Sequence, residues 1–258
     1  MALKFIELET QDGVTLATLN RPPVNAFSEE LFRDFIALSE MVTAGETTRC
    51  LVIAGKPDCR AWGGGAELKE FLELNYDSRL ERYKLVTEAQ KKFAAIDRPV
   101  IAALNGHVIG VGMTFANLCD MRITFPEALF AKPELDRGVV TTVAPFQRVG
   151  FPNAKAREMI YTARRFTAVE LEPTGFFNYV VPREEVVPKA MELAHRVAGR
   201  SLPALRAAKI CNNAAETMTW DQAYILGQKY SAELTAGSDS KEGIRAFLEK
   251  REPSYQDR

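Results

Sequence analysis

The chain has 258 residues, of which 47% are hydrophobic and 26% charged, which is typical of a globular protein with one large domain, or one plus a small appendage. A formal net charge of −1 argues against nucleic acid or an anionic membrane as the main partner. No apolar run is long enough to span a membrane, and the N-terminal segment MALKFIELETQDG lacks a secretory signal pattern. The four cysteines are scattered and the two histidines lie far apart, so we expect reduced thiols, a cytoplasmic location and no metal site.

Up to about residue 182 the pattern predicts strands that alternate with helices, an α/β arrangement. Asp12-Gly13 joins two alternating segments and predicts a hairpin, whereas Ser28 is a candidate N-cap for the first helix. A second helix is predicted over 79–96. Predicted strands cover 5–9, 14–19, 50–55, 100–104, 121–125, 128–130 and 179–181.

Beyond Pro182 nearly every segment has helical periodicity, with predicted helices at 186–200, 204–215, 220–234 and 241–250. We therefore divide the chain into a catalytic core, 1–200, and a helical C-terminal region, 201–258. The helical region carries more large apolar residues than a monomer would cover, which predicts an oligomer. These residues include Ile210, Met218, Trp220, Tyr224, Ile225 and Leu226.

Two glycine-rich loops stand out as candidate binding elements. One contains Gly63-Gly64-Gly65, and the other follows the predicted strand 100–104 and contains Gly110 and Gly112. A chain that turns through glycines into a helix leaves backbone N–H groups free to bind an anion, or a carbonyl oxygen that becomes anionic during a reaction. Neither loop has a nucleotide-binding glycine pattern, which argues against a site for a nucleotide phosphate. Two such loops in one chain suggest instead two donors that converge on one oxygen.

These loops also carry a family resemblance. The motifs LNRPPVNAFS, WGGGAELKEF, RPVIAALNGHVIGVG…CDMRI, FAKPELDRG, QRVG and FLEKREPSYQDR, in that order, resemble the crotonase superfamily of enoyl-CoA hydratases and isomerases. The resemblance implies a spiral of ββα units followed by helices that form a homotrimer or a dimer of trimers. It also implies an acyl-CoA substrate, with coenzyme A entering as part of the substrate and no permanently bound cofactor.

By the same resemblance, the thioester oxygen would be held by the backbone N–H groups of Ala66 and Val111. Val111 stands between Gly110 and Gly112, where the family usually has a run of three glycines. A backbone donor does not depend on the identity of its side chain. However, a β-branched residue restricts the φ and ψ angles of the backbone and reduces the space for the substrate.

The acid–base residues depart further from the family pattern. Enoyl-CoA hydratases use two glutamates, and this chain has Thr114 at the first position and Glu134 at the second. A threonine hydroxyl can hold a water but cannot act as a general base near pH 7. A single carboxylate suffices to shift a double bond, so the pattern favours a 3-enoyl-CoA to 2-enoyl-CoA isomerase. Asp136 would supply a second acid if 134–136 were extended; the competing interpretation is a solvated side chain beside Arg137.

Several other positions have a functional and a structural interpretation. Glu67 is expected to cap a helix, Trp62 to pack in the core, and His107 to be a satisfied or surface histidine. For Phe247 and Lys250 the structural alternatives are a core aromatic and a surface charge. The coenzyme A contacts that the resemblance implies are Arg21, Ala26, Gly65, Ala66, Leu68, Phe247 and Lys250.

Three further functions stay open at this stage. A hydratase could use Glu134 together with a water held by Thr114 or Asp136. A thioester hydrolase or a decarboxylase would use the same oxyanion site. A non-catalytic acyl-CoA binder would bind substrate without turnover. The segment 73–82 is expected to shape the pocket for the acyl group.

Overall fold

The larger of two β-sheets carries most of the core in the computed structural model, which describes residues 3–141 and 143–257. Its first two strands form an antiparallel hairpin, and the remaining strands run parallel to their neighbours. Parallel strands that are buried on both faces are continuously apolar, as Cys50–Gly55 illustrates. The strand order is β1 (Ile6–Gln11), β2 (Val14–Leu19), β3 (Cys50–Gly55), β5 (Val100–Leu104), β7 (Met121–Thr124) and β10 (Tyr179–Val180).

A second sheet of four short strands lies beside the first. Three of its strands are parallel neighbours, so their carboxyl ends meet at one edge, whereas the last pairs antiparallel. In order, they are β4 (Ala61–Gly63), β6 (His107–Ile109), β8 (Leu129–Ala131) and β9 (Phe166–Thr167). This common edge places three separate loops of the chain next to one another.

Helices connect the strands and then continue alone to the C-terminus. The first begins where Ser28 accepts a hydrogen bond from the N–H of Leu31, and its buried face includes Phe35 and Leu38. The helices are α1 (Glu29–Ala44), α2 (Tyr76–Ala94), α3 (Val111–Leu118), α4 (Ala144–Arg148), α5 (Asn153–Thr162), α6 (Ala168–Leu171), α7 (Val186–Ala198), α8 (Leu202–Ala215), α9 (Trp220–Thr235) and α10 (Ser238–Glu249).

An aromatic cluster joins the first helices to the strands. The Phe115 ring lies 4.4 Å from that of Phe35 and 5.0 Å from that of Phe27, measured between ring centroids. Trp62 is fully buried, and its indole N–H donates to the carbonyl of Ile53 at 3.0 Å. The expected packing role of Trp62 is therefore confirmed, and the cluster fixes α1 and α3 relative to the sheets.

Most predicted elements agree with the structure to within a few residues. The α/β class and the helical C-terminal region are confirmed, and strands β2, β3 and β5 have the predicted bounds. The short strands β4 and β6 were expected to be loop, and α2 begins at Tyr76 rather than at residue 79. Among the described residues, none of the helices combines the length and apolarity needed to cross a bilayer. The division into 1–200 and 201–258 remains a prediction.

Candidate active site

Each of the three parallel strands of the second sheet is followed by a piece of one site. The first glycine loop follows β4, and the second follows β6. The segment Lys132-Pro133-Glu134 follows β8. The N–H of Gly110 donates to the carbonyl of Ala131 at 2.9 Å, which fastens the second loop to the end of β8. The sheet edge thus brings together segments that are far apart in sequence.

The two glycine loops approach one another so closely that side chains would not fit between them. A Cβ added to Gly112 would lie 2.4 Å from the carbonyl oxygen of Gly63, and one added to Gly64 would lie 2.6 Å from that of Val24. Gly65 has a φ of +94° and Gly110 a φ of +56°, in the region that favours glycine. The glycines therefore serve close approach and backbone geometry rather than flexibility.

The N–H groups of Ala66 and Val111 lie at the contact between these loops, and both residues line one cavity. Neighbouring bonds run from Phe27 to Gly65 and from Glu67 to Phe27, and the described residues provide no acceptor for the N–H of Ala66. Val111 is the first residue of α3, where an N–H has no intrahelical acceptor. A helical backbone accommodates a β-branched residue, so valine at this position is compatible with a donor.

Glu134 places a carboxylate beside the second loop. A Cβ added to Gly110 would lie 3.4 Å from the Cα of Gly65 and 3.5 Å from Oε1 of Glu134. The other carboxylate oxygen, Oε2, is buried and has no hydrogen-bond partner among the described side chains and backbone. A carboxylate beside the second glycine loop, together with the N–H donors of the two loops, has the composition of a proton-transfer site next to an oxyanion hole.

Thr114 and Lys132 complete the cluster around this carboxylate. Lys132 Nζ donates to Thr114 Oγ1 at 2.9 Å and to Glu134 Oε1 at 3.4 Å. Lys132 is 2% exposed, and burial lowers the pKa of its ammonium group, although the neighbouring Glu134 opposes that shift. Sequence reasoning assigned no role to Lys132, because a lysine just after a strand is ordinarily a surface residue.

The cavity that contains these groups has a volume of about 600 Å³. Its far wall is the 3₁₀ helix Leu68–Phe71 together with α2. Two arginines of α2 lie over Phe71, with the guanidinium carbon of Arg79 at 4.5 Å and that of Arg82 at 4.8 Å from the ring centroid. The segment 73–82, expected to shape the acyl pocket, therefore contributes to this wall. Leu68, a predicted coenzyme A contact, also lines the cavity.

Asp136 does not join the site, and its inclusion among the catalytic residues is corrected by the structure. The segment Pro133–Arg137 is a 3₁₀ helix, so Glu134 and Asp136 do not project to the same side as they would in an extended strand. Asp136 is exposed and does not line the cavity. A solvated side chain is the interpretation that the geometry supports.

Arg21 and Ala26 lie next to the first loop rather than in the cavity. Arg21 Nη1 donates to the carbonyl of Ala26 at 3.1 Å, and Nη2 pairs with Glu67 Oε2 at 2.9 Å. Hydrogen bonding from Arg21 holds the pKa of Glu67 below its usual range. Glu67 also accepts from the N–H of Lys69, so its predicted capping role is confirmed. In this structure, Arg21 braces the loop that carries Ala66.

Phe247 and Lys250 are not among the residues that line the cavity. Phe247 is 82% exposed, so the alternative of a core aromatic is wrong. Lys250 ends α10 with a φ of +55°. Their coenzyme A contacts remain a prediction that a single chain does not test.

His107 is satisfied by the fold, as expected. Its Nδ1 accepts a hydrogen bond from the N–H of Leu129 at 3.1 Å. Burial lowers the pKa of His107, and the positive charges of Arg183 and Arg165 lower it further. A neutral histidine whose Nδ1 is already engaged is poorly placed to act as an acid in the cavity.

Comparisons with known proteins agree with this geometry. The family model described as enoyl-CoA hydratase/isomerase matches residues 9–258. A protein of Rhizobium meliloti named probable enoyl-CoA hydratase is 31% identical, over 100% of both chains. The crotonyl-CoA hydratase of Syntrophomonas wolfei is 29% identical, over 99% of both chains. The crystal structure of an enoyl-CoA hydratase from Bacillus anthracis has a TM-score of 0.93 at 25% identity and covers 99% of this chain and 100% of that one.

The fold and these matches define the class first: the protein is an acyl-CoA enzyme of the crotonase superfamily. Within that class, the chain belongs to the enoyl-CoA hydratase/isomerase family.

Proposed function

We propose that the protein is an enoyl-CoA isomerase that moves a double bond from the 3,4 to the 2,3 position of an acyl-CoA. The observation that carries this proposal is the composition of the cavity. Among the described residues that line it, Glu134 is the one carboxylic acid, and Thr114 is hydrogen-bonded to Lys132. One carboxylate can shuttle a proton, whereas hydration in relatives uses two glutamates to position and activate a water.

The reaction needs two proton transfers and one stabilised intermediate. Glu134 takes a proton from C2 of a 3-enoyl-CoA, and the electrons of that bond pass into a dienolate whose charge rests on the thioester oxygen. The N–H groups of Ala66 and Val111 donate to that oxygen. The protonated carboxyl group then gives its proton to C4, so the double bond becomes conjugated with the thioester and Glu134 returns to its starting state.

The test compares two substrates of equal chain length on the purified protein. With a 3-enoyl-CoA, we expect double-bond migration, which is measured by the absorbance of the conjugated product. With a 2-enoyl-CoA, we expect water addition to be slower by at least roughly tenfold, since one acid of the usual pair is absent. Hydration as fast as or faster than migration would refute the isomerase assignment.

A hydratase is the second candidate, favoured by the names of the relatives. The proteins of Rhizobium meliloti and Syntrophomonas wolfei described above are both named as hydratases. In this alternative, Glu134 would activate a water, and the hydroxyl of Thr114 would donate to that water while it accepts from Lys132. The same substrate comparison decides between the two reactions.

We also propose that the chain assembles as a homotrimer or a dimer of trimers through its C-terminal helices. Large apolar side chains are exposed on α9 and α10: Trp220 is 74%, Ile225 64% and Leu248 75% exposed. Exposed apolar surface of this kind is typical of an association site. The molar mass measured by light scattering tests the proposal, and a monomeric mass would refute it. The cytoplasmic location and the absence of a permanently bound cofactor remain predictions.

A further inference from the structure

A buried lysine, Lys132, is hydrogen-bonded to Thr114, the position at which the family resemblance implies a missing acid. Lys132 has a side-chain exposure of 3%, and its ammonium group bridges Thr114 Oγ1 and Glu134 Oε1. Burying an ammonium group is unfavourable unless it is paired and hydrogen-bonded. Thr114 is itself buried on α3, so the bridge links α3 to the segment that follows β8. The unfavourable burial of the Lys132 ammonium group, within the site and at the end of β8, therefore needs a functional explanation.

We propose that Lys132 is the positioning residue for Glu134: its ammonium group, held in place by Thr114, engages Oε1 and fixes the orientation of the carboxylate beside the second glycine loop. The proposal rests on the assignment of Glu134 as the acid–base group. It does not require that the reaction be isomerisation. Both oxygens of a carboxylate are equivalent until one of them is engaged, and a fixed cation at one oxygen sets the orientation of the other.

The asymmetry of the carboxylate supports this role. Oε1 is the oxygen close to Gly110 and to Lys132, and Oε2 has no partner among the described residues. Without the cation, rotation of the carboxyl group would be limited only by packing.

The role of Lys132 requires its ammonium group to be protonated, so the charged groups around it matter. Glu134 faces it from its own segment, and Arg137, Arg79 and Arg82 line the same cavity. Burial lowers the pKa of Lys132 from its ordinary value near 10.5. The ammonium group should therefore be lost at a lower pH than that of an exposed lysine, and activity should decline on the alkaline side as this happens.

The experiment compares the wild-type protein with Lys132→Met and Lys132→Arg. Lys84→Met, which removes an exposed lysine of α2, is the matched control. The readout is exchange of the C2 protons of a saturated acyl-CoA for deuterium in D₂O, together with kcat and KM for whichever enoyl-CoA reaction the wild type catalyses. Proton exchange reports on Glu134 and the oxyanion hole in either reaction, so the proposal is tested even if isomerisation is not the natural activity.

For Lys132→Met we expect kcat and the exchange rate to fall by about 10²-fold with little change in KM, because a misoriented base slows the chemical step rather than binding. Lys132→Arg should retain more activity and lose the alkaline decline, because a guanidinium stays protonated. Lys84→Met should behave as wild type.

Two results would overturn the role. One is a Lys132→Met protein with exchange within roughly threefold of wild type and an unchanged pH profile. The other is a loss of activity that follows a lowered melting temperature while Lys132→Arg keeps the alkaline decline of the wild type, which would mark Lys132 as merely structural. Absence of exchange in the wild type itself would refute the assignment of Glu134, and with it the role of Lys132.

Discussion

The two glycine loops and the cluster opposite them build their parts of the site in different ways. The loops offer backbone N–H groups from Ala66 and Val111, and their geometry depends on small residues that let two chains approach. The cluster of Thr114, Lys132 and Glu134 is made of side chains that contact one another. A change of residue type at Val111 leaves a donor in place, whereas a change at Thr114 replaces one functional group by another.

This difference separates the groups that bind the thioester from the groups that determine which reaction follows. Backbone donors and the cavity are compatible with any reaction that forms a thioester enolate. The choice among those reactions depends on which side chains can give or take a proton, and here that set contains Glu134 with an ammonium group beside it. The predictions that follow alter one half of the site at a time.

The largest effect is expected for Glu134→Gln. Glutamine keeps the size of the side chain but cannot accept the proton, so kcat should fall by roughly 10²–10⁴-fold while acyl-CoA affinity changes little. Steady-state kinetics and calorimetric titration with a product analogue measure the two quantities. Asp136→Asn, which neutralises an exposed acid two residues away, is the control and should leave both unchanged. An equal loss in that control would restore Asp136 as a candidate acid.

Gly112→Ala tests the loop half of the comparison. Alanine is the better residue for a helix interior, yet its Cβ would lie 2.4 Å from the carbonyl oxygen of Gly63, so the two loops must separate. We expect turnover to fall by about 10²–10³-fold, as when an oxyanion-hole donor is lost. Gly199→Ala, whose Cβ would lie 3.7 Å from the nearest backbone oxygens, is the steric control. Full activity of Gly112→Ala would show that the close approach of the loops is dispensable.

Much of the fold was predictable from the sequence, because buried strands and helix starts leave recognisable local patterns. Continuous apolar runs gave strands such as β3 and β5, and Ser28 marked the start of α1 through local capping chemistry. Strands β4 and β6 were missed because both lie in glycine-rich segments that were interpreted as loops.

The acid–base cluster was only half predictable. Glu134 was found through its motif, but the partner of Thr114 was not, since Lys132 is 18 positions away and its burial depends on the tertiary fold. The position of Asp136 depended on whether 134–136 was extended or helical. A proline at the start of the segment is compatible with either backbone, so the residues alone did not decide.

Thr114→Glu tests the side-chain half by adding an acid where hydratases have one. The new carboxylate would lie on α3, within the cavity, and would accept the hydrogen bond of Lys132 in place of the hydroxyl. We expect the ratio of hydration to migration to rise by at least roughly tenfold, because a second acid can orient water. Thr114→Gln is the uncharged control. No change in the ratio would show that the residue at 114 does not select the reaction.

The smallest effect is expected for Ser28→Ala, which alters the scaffold of the first loop without touching the site. Ser28 caps α1 through a long hydrogen bond of 3.4 Å, so its loss should lower the free energy of unfolding by about 1 kcal/mol or less. Urea denaturation measures that change. Turnover of the folded protein should stay the same; a large loss would show that the start of α1 controls the geometry of the loop that follows β4.

The edge formed by β4, β6 and β8 has a consequence for redesign. Because donors and base come from the ends of three different strands, a protein engineer can vary 132–137 as a cassette without altering the connection that carries Ala66. Position 114 can be exchanged in the same way from α3. A small library that combines acids, amides and bases at 114, 132 and 134 would therefore sample several thioester reactions on one scaffold, because the loops that bind the thioester stay the same in every variant.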